Sequence, residues 1–177
     1  MKCDPKMDAI WQMSDVVASP RLDTPDQVRE YVTCLTKLIY DYKMVGLIYD
    51  CCAEDVEYHK QSGIRFSHPD QIAIQINELE AAFPDLHTEI DHIIVYRAGP
   101  DCWKVFRRMR LMGTSLGFTP YGPATGKTLG DRCLNLTMLY LKQVEGTWKI
   151  TFAVNSDSER LIREVQTGGQ TEGGNRT

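Results

Sequence analysis

LHTEIDHIIVYRAGPDCWKVFRRMRLMGT, residues 86–114, reads as two β-strands joined by a tight connection. Residues 86–97 and 102–114 are both rich in apolar, β-branched or aromatic side chains, and Ala98-Gly99-Pro100-Asp101 between them has the composition of a turn. So short a connection implies antiparallel neighbours, because a parallel partner needs a crossover of about a dozen residues or more. Two further runs extend the pattern: 128–143, after a Gly/Pro-rich loop, and 147–156, after Glu145-Gly146.

Helices are expected upstream of these strands. Thr24-Pro25-Asp26-Gln27 offers an N-cap hydroxyl, proline at the first helical position, an acidic first turn and a capping-box glutamine. A helix over 25–44 follows, and Val28, Tyr31, Val32, Leu35, Leu38 and Ile39 give it one apolar face. Residues 7–18 hold apolar positions at looser helical spacing, and a short helix near 45–52 is expected after Gly46. Asp55-Val56-Glu57-Tyr58-His59 alternates as a strand, with Gln61-Ser62-Gly63 as a turn behind it. Ser67, with Pro69 and Asp70 behind it, is expected to cap a helix through Ala82. The order, helices and then an antiparallel meander, predicts an α+β architecture with helices on one face of a curved sheet. The division expected is an N-terminal segment at 1–24, one domain at 25–166 and a disordered tail at 167–177, which has almost nothing apolar to bury.

Composition narrows the function. The chain has 177 residues, 42% of them hydrophobic, enough for one core. Its net charge is −4, and no basic run is present to neutralise phosphates, so nucleic-acid binding is not expected. Neither an export signal nor an apolar run of membrane-spanning length is found, so a soluble cytoplasmic protein is expected and no membrane partner. Cys3, Cys34, Cys51, Cys52, Cys102 and Cys133 are scattered without metal-ligand spacing. Reduced thiols are expected, a vicinal Cys51–Cys52 disulfide being the alternative. No metal site is expected either: His87 and His92, five apart, have the wrong parity for one face of a regular strand, and His68 lies at a helix cap. Gly122–Lys127 lacks Walker spacing for phosphate.

Five motifs in this order resemble one family over about residues 25–165. Asp55–His59 resembles the first-strand motif of SnoaL-like polyketide cyclases, a branch of the nuclear transport factor 2-like superfamily. Ala82-Phe83-Pro84-Asp85-Leu86 is similar to their helix-to-strand turn, and Gly113-Thr114-Ser115 with Gly117 to their Gly-Thr-His region. Gly122-Pro123-Ala124-Thr125-Gly126-Lys127 resembles their Pro-Pro-Thr-Gly-Lys loop, and residues 144–150 their last hairpin. The resemblance implies a cone made by a bent sheet and about three helices, commonly a homodimer, with a small-molecule cavity inside. Fold does not by itself fix a reaction.

The resemblance, with strand alternation, nominates site residues. In the family register Asp131, Cys133, Asn135 and Thr137 face the cavity; Asp131 solvated at the mouth and Asn135 as a structural amide are the alternatives. The same register turns Arg107, Met109 and Leu111 inward and leaves Arg108 and Arg110 outward, unless the register slips by one residue. An inward Arg107 would pair with a carboxylate such as Asp131 or bind an anionic or carbonyl-bearing ligand. His59 recurs in relatives as a pocket-lining histidine and is a general acid/base candidate, with a structural hydrogen bond as the alternative. Tyr40 falls where relatives place an aromatic residue over the cavity, to orient a carbonyl or to fill the core.

Departures from the pattern bear on the chemistry. Relatives carry histidine where this chain has Ser115. They also place an acid/base aspartate in a Glu-His-Trp-Asp run, here Thr151-Phe152-Ala153-Val154-Asn155-Ser156-Asp157; ungapped, it corresponds to Val154, and shifted by one residue, to Asn155. An amide cannot take up a proton as a carboxylate does. Asp157 matches a second family aspartate or caps the following helix. Two functions follow. The first is a cofactor-independent isomerase, cyclase or dehydratase acting on a carbonyl compound, with His59, Asp131 and Asn135 as catalytic candidates and Tyr40, Arg107, Ser115, Asn155 and Asp157 contacting substrate. The second is a non-catalytic small-ligand-binding or dimerisation module.

Overall fold

The computed structural model describes residues 5–119 and 122–168. The N-terminal helix α1 spans Pro5–Ala18. Helix α2, Pro25–Tyr40, starts at the expected capping box: Thr24 Oγ1 accepts from the Gln27 N–H and the Gln27 side chain accepts from the Thr24 N–H. It stops four residues before the expected end, because Lys43 is left-handed (φ 61°) and the chain turns back as the Met44 N–H donates to the Leu38 carbonyl. Lys43 Nζ fixes this corner by donating to the carbonyls of Tyr40 and Leu86. Helix α3, Leu47–Cys51, runs directly into strand β1, Cys52–Lys60. Cys51 and Cys52 are free thiols, so the disulfide alternative is not realised. A short β2, Arg65–Phe66, folds back on β1. In α4, Pro69–Ala82, the cap is His68 and not Ser67: proline occupies the first turn, and His68 Nδ1 accepts from the Asp70 N–H.

Strands β3 (His87–Gly99) and β4 (Cys102–Thr114) form the expected hairpin. The expected 128–143 strand is two pieces, β5 (Thr128–Leu129) and β6 (Leu134–Val144). Gly130-Asp131-Arg132 makes a turn between them, closed by the Cys133 N–H on the Gly130 carbonyl. Strand β7, Thr147–Asp157, leads through Ser158 into α5, Glu159–Gln166. The expected disordered tail lies outside the described residues except for Thr167 and Gly168, which form a turn behind α5.

The fold is α+β, as the sequence predicted, but the seven-stranded sheet is mixed where an antiparallel one was expected, and five helices rather than about three are present among the described residues. Strand order is β2-β1-β7-β6-β4-β3, with β5 beside β4. Every pairing is antiparallel except β1 with β7, which run parallel. Two apolar clusters fill the concave side. One joins α1 to α4 with Trp103, Val105, Leu139, Leu141 and Ala153; the other gathers Phe83, Leu86, Met109, Leu111, Leu129, Cys133 and Val165. Trp103 Nε1 donates to the Leu22 carbonyl at 2.7 Å, which ties the segment between α1 and α2 to the sheet.

Candidate functional site

Between the two apolar clusters the inward-facing residues become polar. Along β4 the concave face reads Trp103, Val105, Arg107, Met109, Leu111, so a single arginine interrupts an apolar series. Strand pairing aligns it with like interruptions on its neighbours. Arg107 is opposite Thr137, Thr137 opposite Asn155, and Asn155 opposite Lys60, one row across four strands. In the next row Met109 is opposite Asn135, and Asn135 opposite Asp157. On the side toward the first cluster, Val105, Leu139, Ala153 and Tyr58 form the adjoining row.

These rows form the wall of a cavity of about 470 Å³ lined by α2, α3, α4, α5 and the sheet and open at one side. A volume of that order suits a small organic molecule. Ile64, Glu78 and Arg163 are the exposed lining residues and mark its mouth. Thr36 and Tyr40 reach it from α2, one turn apart on the apolar face.

Arg107 is inward, as the family register implies, but its expected partner Asp131 is elsewhere. Its two terminal nitrogens donate to Thr36 Oγ1 at 2.6 Å and Thr137 Oγ1 at 3.2 Å. Its Nε is buried with no acceptor, and no carboxylate among the described residues pairs with it. Thr36 spends its own proton on the Val32 carbonyl at 2.6 Å, and Thr137 directs its proton to Asn135 Oδ1 at 2.9 Å. Both threonine oxygens are thereby oriented as acceptors for the guanidinium. Burial pulls the Arg107 pKa downward, but an arginine starts so high that it remains charged.

Lys60, Asp157 and Glu159 form an ionic group nearer the mouth. Lys60 Nζ lies 3.7 Å from Asp157 Oδ2 and pairs with Glu159 Oε1. Asn155 Nδ2 donates to Asp157 Oδ2 at 3.4 Å. Burial raises the Asp157 pKa above the ordinary aspartate value; Lys60 opposes the rise and Glu159 adds to it. Burial likewise pushes the phenols of Tyr40 and Tyr58 upward, so both keep their protons and can donate.

The structure brings Tyr40, Arg107, Asn135, Asn155 and Asp157 together at this cavity, and separates His59, Asp131 and Ser115 from it. Inward positions on β1 are Val56, Tyr58 and Lys60, so alternation turns His59 to the opposite face, 3.5 Å from Glu57 and 5.3 Å, ring to ring, from Phe152. Asp131 is in the β5–β6 turn and not on a strand. Its side chain is 80% exposed and meets Arg110 on the outer face at 3.3 Å. Ser115 is buried in the loop after β4, where its N–H donates to the Lys127 carbonyl and its carbonyl accepts from the Gly126 N–H. Asp157 does not cap α5; Ser158 holds the cap position. Of the two alignments of the family aspartate, Val154 lies outside the cavity lining and Asn155 inside it.

Sequence reasoning passed over Thr36, Tyr58 and Lys60. A threonine among the apolar positions of α2 was a legible signal, as was the Val56-Tyr58-Lys60 alternation, had β1 been extended by one residue. Among the described residues no group of three or more metal-ligating side chains occurs, and no helix is long and apolar enough to cross a membrane.

No protein-family model matches the chain, and no curated protein matches it by sequence. Solved structures do. A nuclear transport factor 2-like protein from Cytophaga hutchinsonii superposes with a TM-score of 0.56 at 14% identity, over 77% of this chain and 99% of that one. A SnoaL-like protein from Jannaschia sp. CCS1, assigned as a polyketide cyclase by that likeness, gives 0.54 at 10% identity, over 94% of this chain and 97% of that one. A hexachlorocyclohexane dehydrochlorinase from Novosphingobium barchaimii gives 0.57 at 10% identity, over 85% and 90%. At such identities the likeness is one of fold, and the chain has the cystatin-like, nuclear transport factor 2-like fold.

Proposed function

We propose that the protein is an enzyme acting by acid/base chemistry on a small carbonyl compound, an isomerase, cyclase or dehydratase, with Asp157 as the base. The observation that carries this is the pairing of an ionisable carboxylate, raised by burial, with proton donors on the wall of one cavity. Asp157 would take a proton from the carbon next to the carbonyl. The electron pair left behind moves onto the carbonyl oxygen, where the hydroxyls of Tyr40 and Tyr58 and the amide of Asn135 donate to it, within the field of Arg107. Reprotonation at another carbon isomerises the substrate, attack on a second carbonyl cyclises it, and loss of a β-hydroxyl dehydrates it. The Novosphingobium dehydrochlorinase, and the Jannaschia protein named for its likeness to SnoaL, support a small-molecule enzyme on this fold.

A non-catalytic binder is the second reading, favoured by the absence of all four histidines from the cavity lining. The test is exchange of α-protons for solvent deuterium, followed by NMR across a panel of aliphatic and aryl ketones and keto acids. Asp157→Asn is expected to lower exchange by about 100-fold or more, the usual scale of a general base. Exchange no faster than in buffer for every ketone would leave the binder. Exchange that survives Asp157→Asn but not His59→Ala would move the base to the other face of the sheet.

A further inference from the structure

We propose that the ligand is an organic acid, its carboxylate held by Arg107 and its apolar body extending over Leu139, Leu141 and Ile150. This deepens the proposed function by naming the substrate class, and it rests on the cavity being the ligand site.

Charge accounting at the cavity leads there. A guanidinium presents five N–H groups. Arg107 gives two to threonine oxygens, Nε finds no acceptor, and neither threonine carries charge. A cation held partly buried in that state is destabilising unless an anion joins it. The protein supplies none at that point, since Asp157 and Glu159 are engaged by Lys60. Across the row, Arg107 and Asn155 are two strands apart, roughly 10 Å, with Asp157 two residues further along β7. Thr137 and Asn155 bridge that interval on the cavity wall, and the ligand would lie across them.

Shape and polarity agree with an acid that is apolar at its other end. Two parallel N–H···O bonds match a guanidinium edge to a carboxylate, which an amide or alcohol cannot reproduce. Beyond the Arg107 row toward the hairpin end of β6 and β7, the lining becomes Leu139, Ala153, Leu141 and Ile150. An acid seated on Arg107 therefore has hydrocarbon lining on one side and Asp157 on the other. A carbonyl near the carboxylate would then fall among Tyr40, Tyr58 and Asn135.

The experiment uses inert probes, so that binding is read apart from turnover. Affinities of 2-naphthoate and decanoate are compared with those of the uncharged 2-naphthamide and decanamide, by calorimetry and thermal shift, on the full chain. The wild type is expected to bind each acid at least tenfold more tightly than its amide. Arg107→Met should abolish that preference while retaining amide binding, which also reports that the variant is folded; Arg107→Lys should keep part of it. Because Arg107 is partly buried, the preference should depend on salt less than one arising at Arg163 on the mouth. The proposal is overturned if no acid outbinds its amide, if the preference survives Arg107→Met, or if Arg163→Ala removes it instead. Acid preference intact with no ketone exchange in any assay would sink the enzyme reading and leave this one standing. The reverse result would do the opposite.

Discussion

Replacing Lys60 by methionine isolates the ionic group at the cavity mouth. Lys60 is buried, with only 6% of its side chain exposed; Asp157 is 13% exposed and Glu159 36%. Removing one partner of a fully buried pair costs about 3–5 kcal/mol, because the other charge is left uncompensated. Here Glu159 can turn to solvent and Asp157 can take up a proton, so a loss of about 2–3 kcal/mol is expected near pH 8. For a chain of this size that corresponds to a Tm lower by roughly 5–10 °C. The loss must also depend on pH. Burial already raises Asp157, and Lys60 is the principal group pulling it back. Without the ammonium its folded-state pKa rises further above the unfolded value. A carboxyl of that kind stabilises the fold fully below its unfolded pKa and loses the contribution as pH climbs through the folded one. The Tm deficit of Lys60→Met should therefore be largest near about pH 8 and shrink toward about pH 5. Differential scanning calorimetry across that range measures it. Lys60→Met combined with Asp157→Asn should remove the pH dependence, since the titrating group is gone. A deficit that is flat with pH, or larger in acid, would refute the assignment of Asp157 as the group under Lys60's control.

Two further outcomes are expected. A Cβ at Gly117 would sit 1.6 Å from the Ala81 carbonyl oxygen, while the N–H groups of Leu116 and Gly117 both donate to Ala82 at 3.2 Å. Gly117→Ala should thus separate the loop from the end of α4 and destabilise by more than about 4 kcal/mol, measured by urea denaturation. His59→Ala and Asp131→Ala, both away from the cavity, should leave naphthoate affinity within about twofold and stability within about 0.5 kcal/mol.

Much of the architecture could be read before any coordinates, because it rests on local rules. The Thr24 capping box, the turn at residues 98–101 and the alternation along residues 102–114 each act over a few residues, and each appears where expected. The inward turn of Arg107 was expected only through the family register, with a one-residue slip as the alternative: alternation along residues 102–114 gives the period and not the phase. His59 shows the limit of that rule: the strand was recognised, but its phase depends on the parallel pairing of β1 with β7, formed between residues about a hundred positions apart in the chain. Asp131 failed differently. An uninterrupted strand over 128–143 was expected, yet the glycine-aspartate turn at Gly130 broke it and carried the carboxylate outward to Arg110.

What the sequence alone determined was the order of elements, their approximate ends and the identity of the polar residues that interrupt apolar runs. Only the tertiary structure decided which of those interruptions meet. Arg107, Thr137, Asn155 and Lys60 come from four strands whose register is set by long-range hydrogen bonding, and Thr36 reaches them from a helix. A row of that kind has no signature along the chain, because each member is an isolated polar residue until the sheet pairs. The unneutralised charge at its end is a property of the assembled cavity, and so is the acid we expect it to hold.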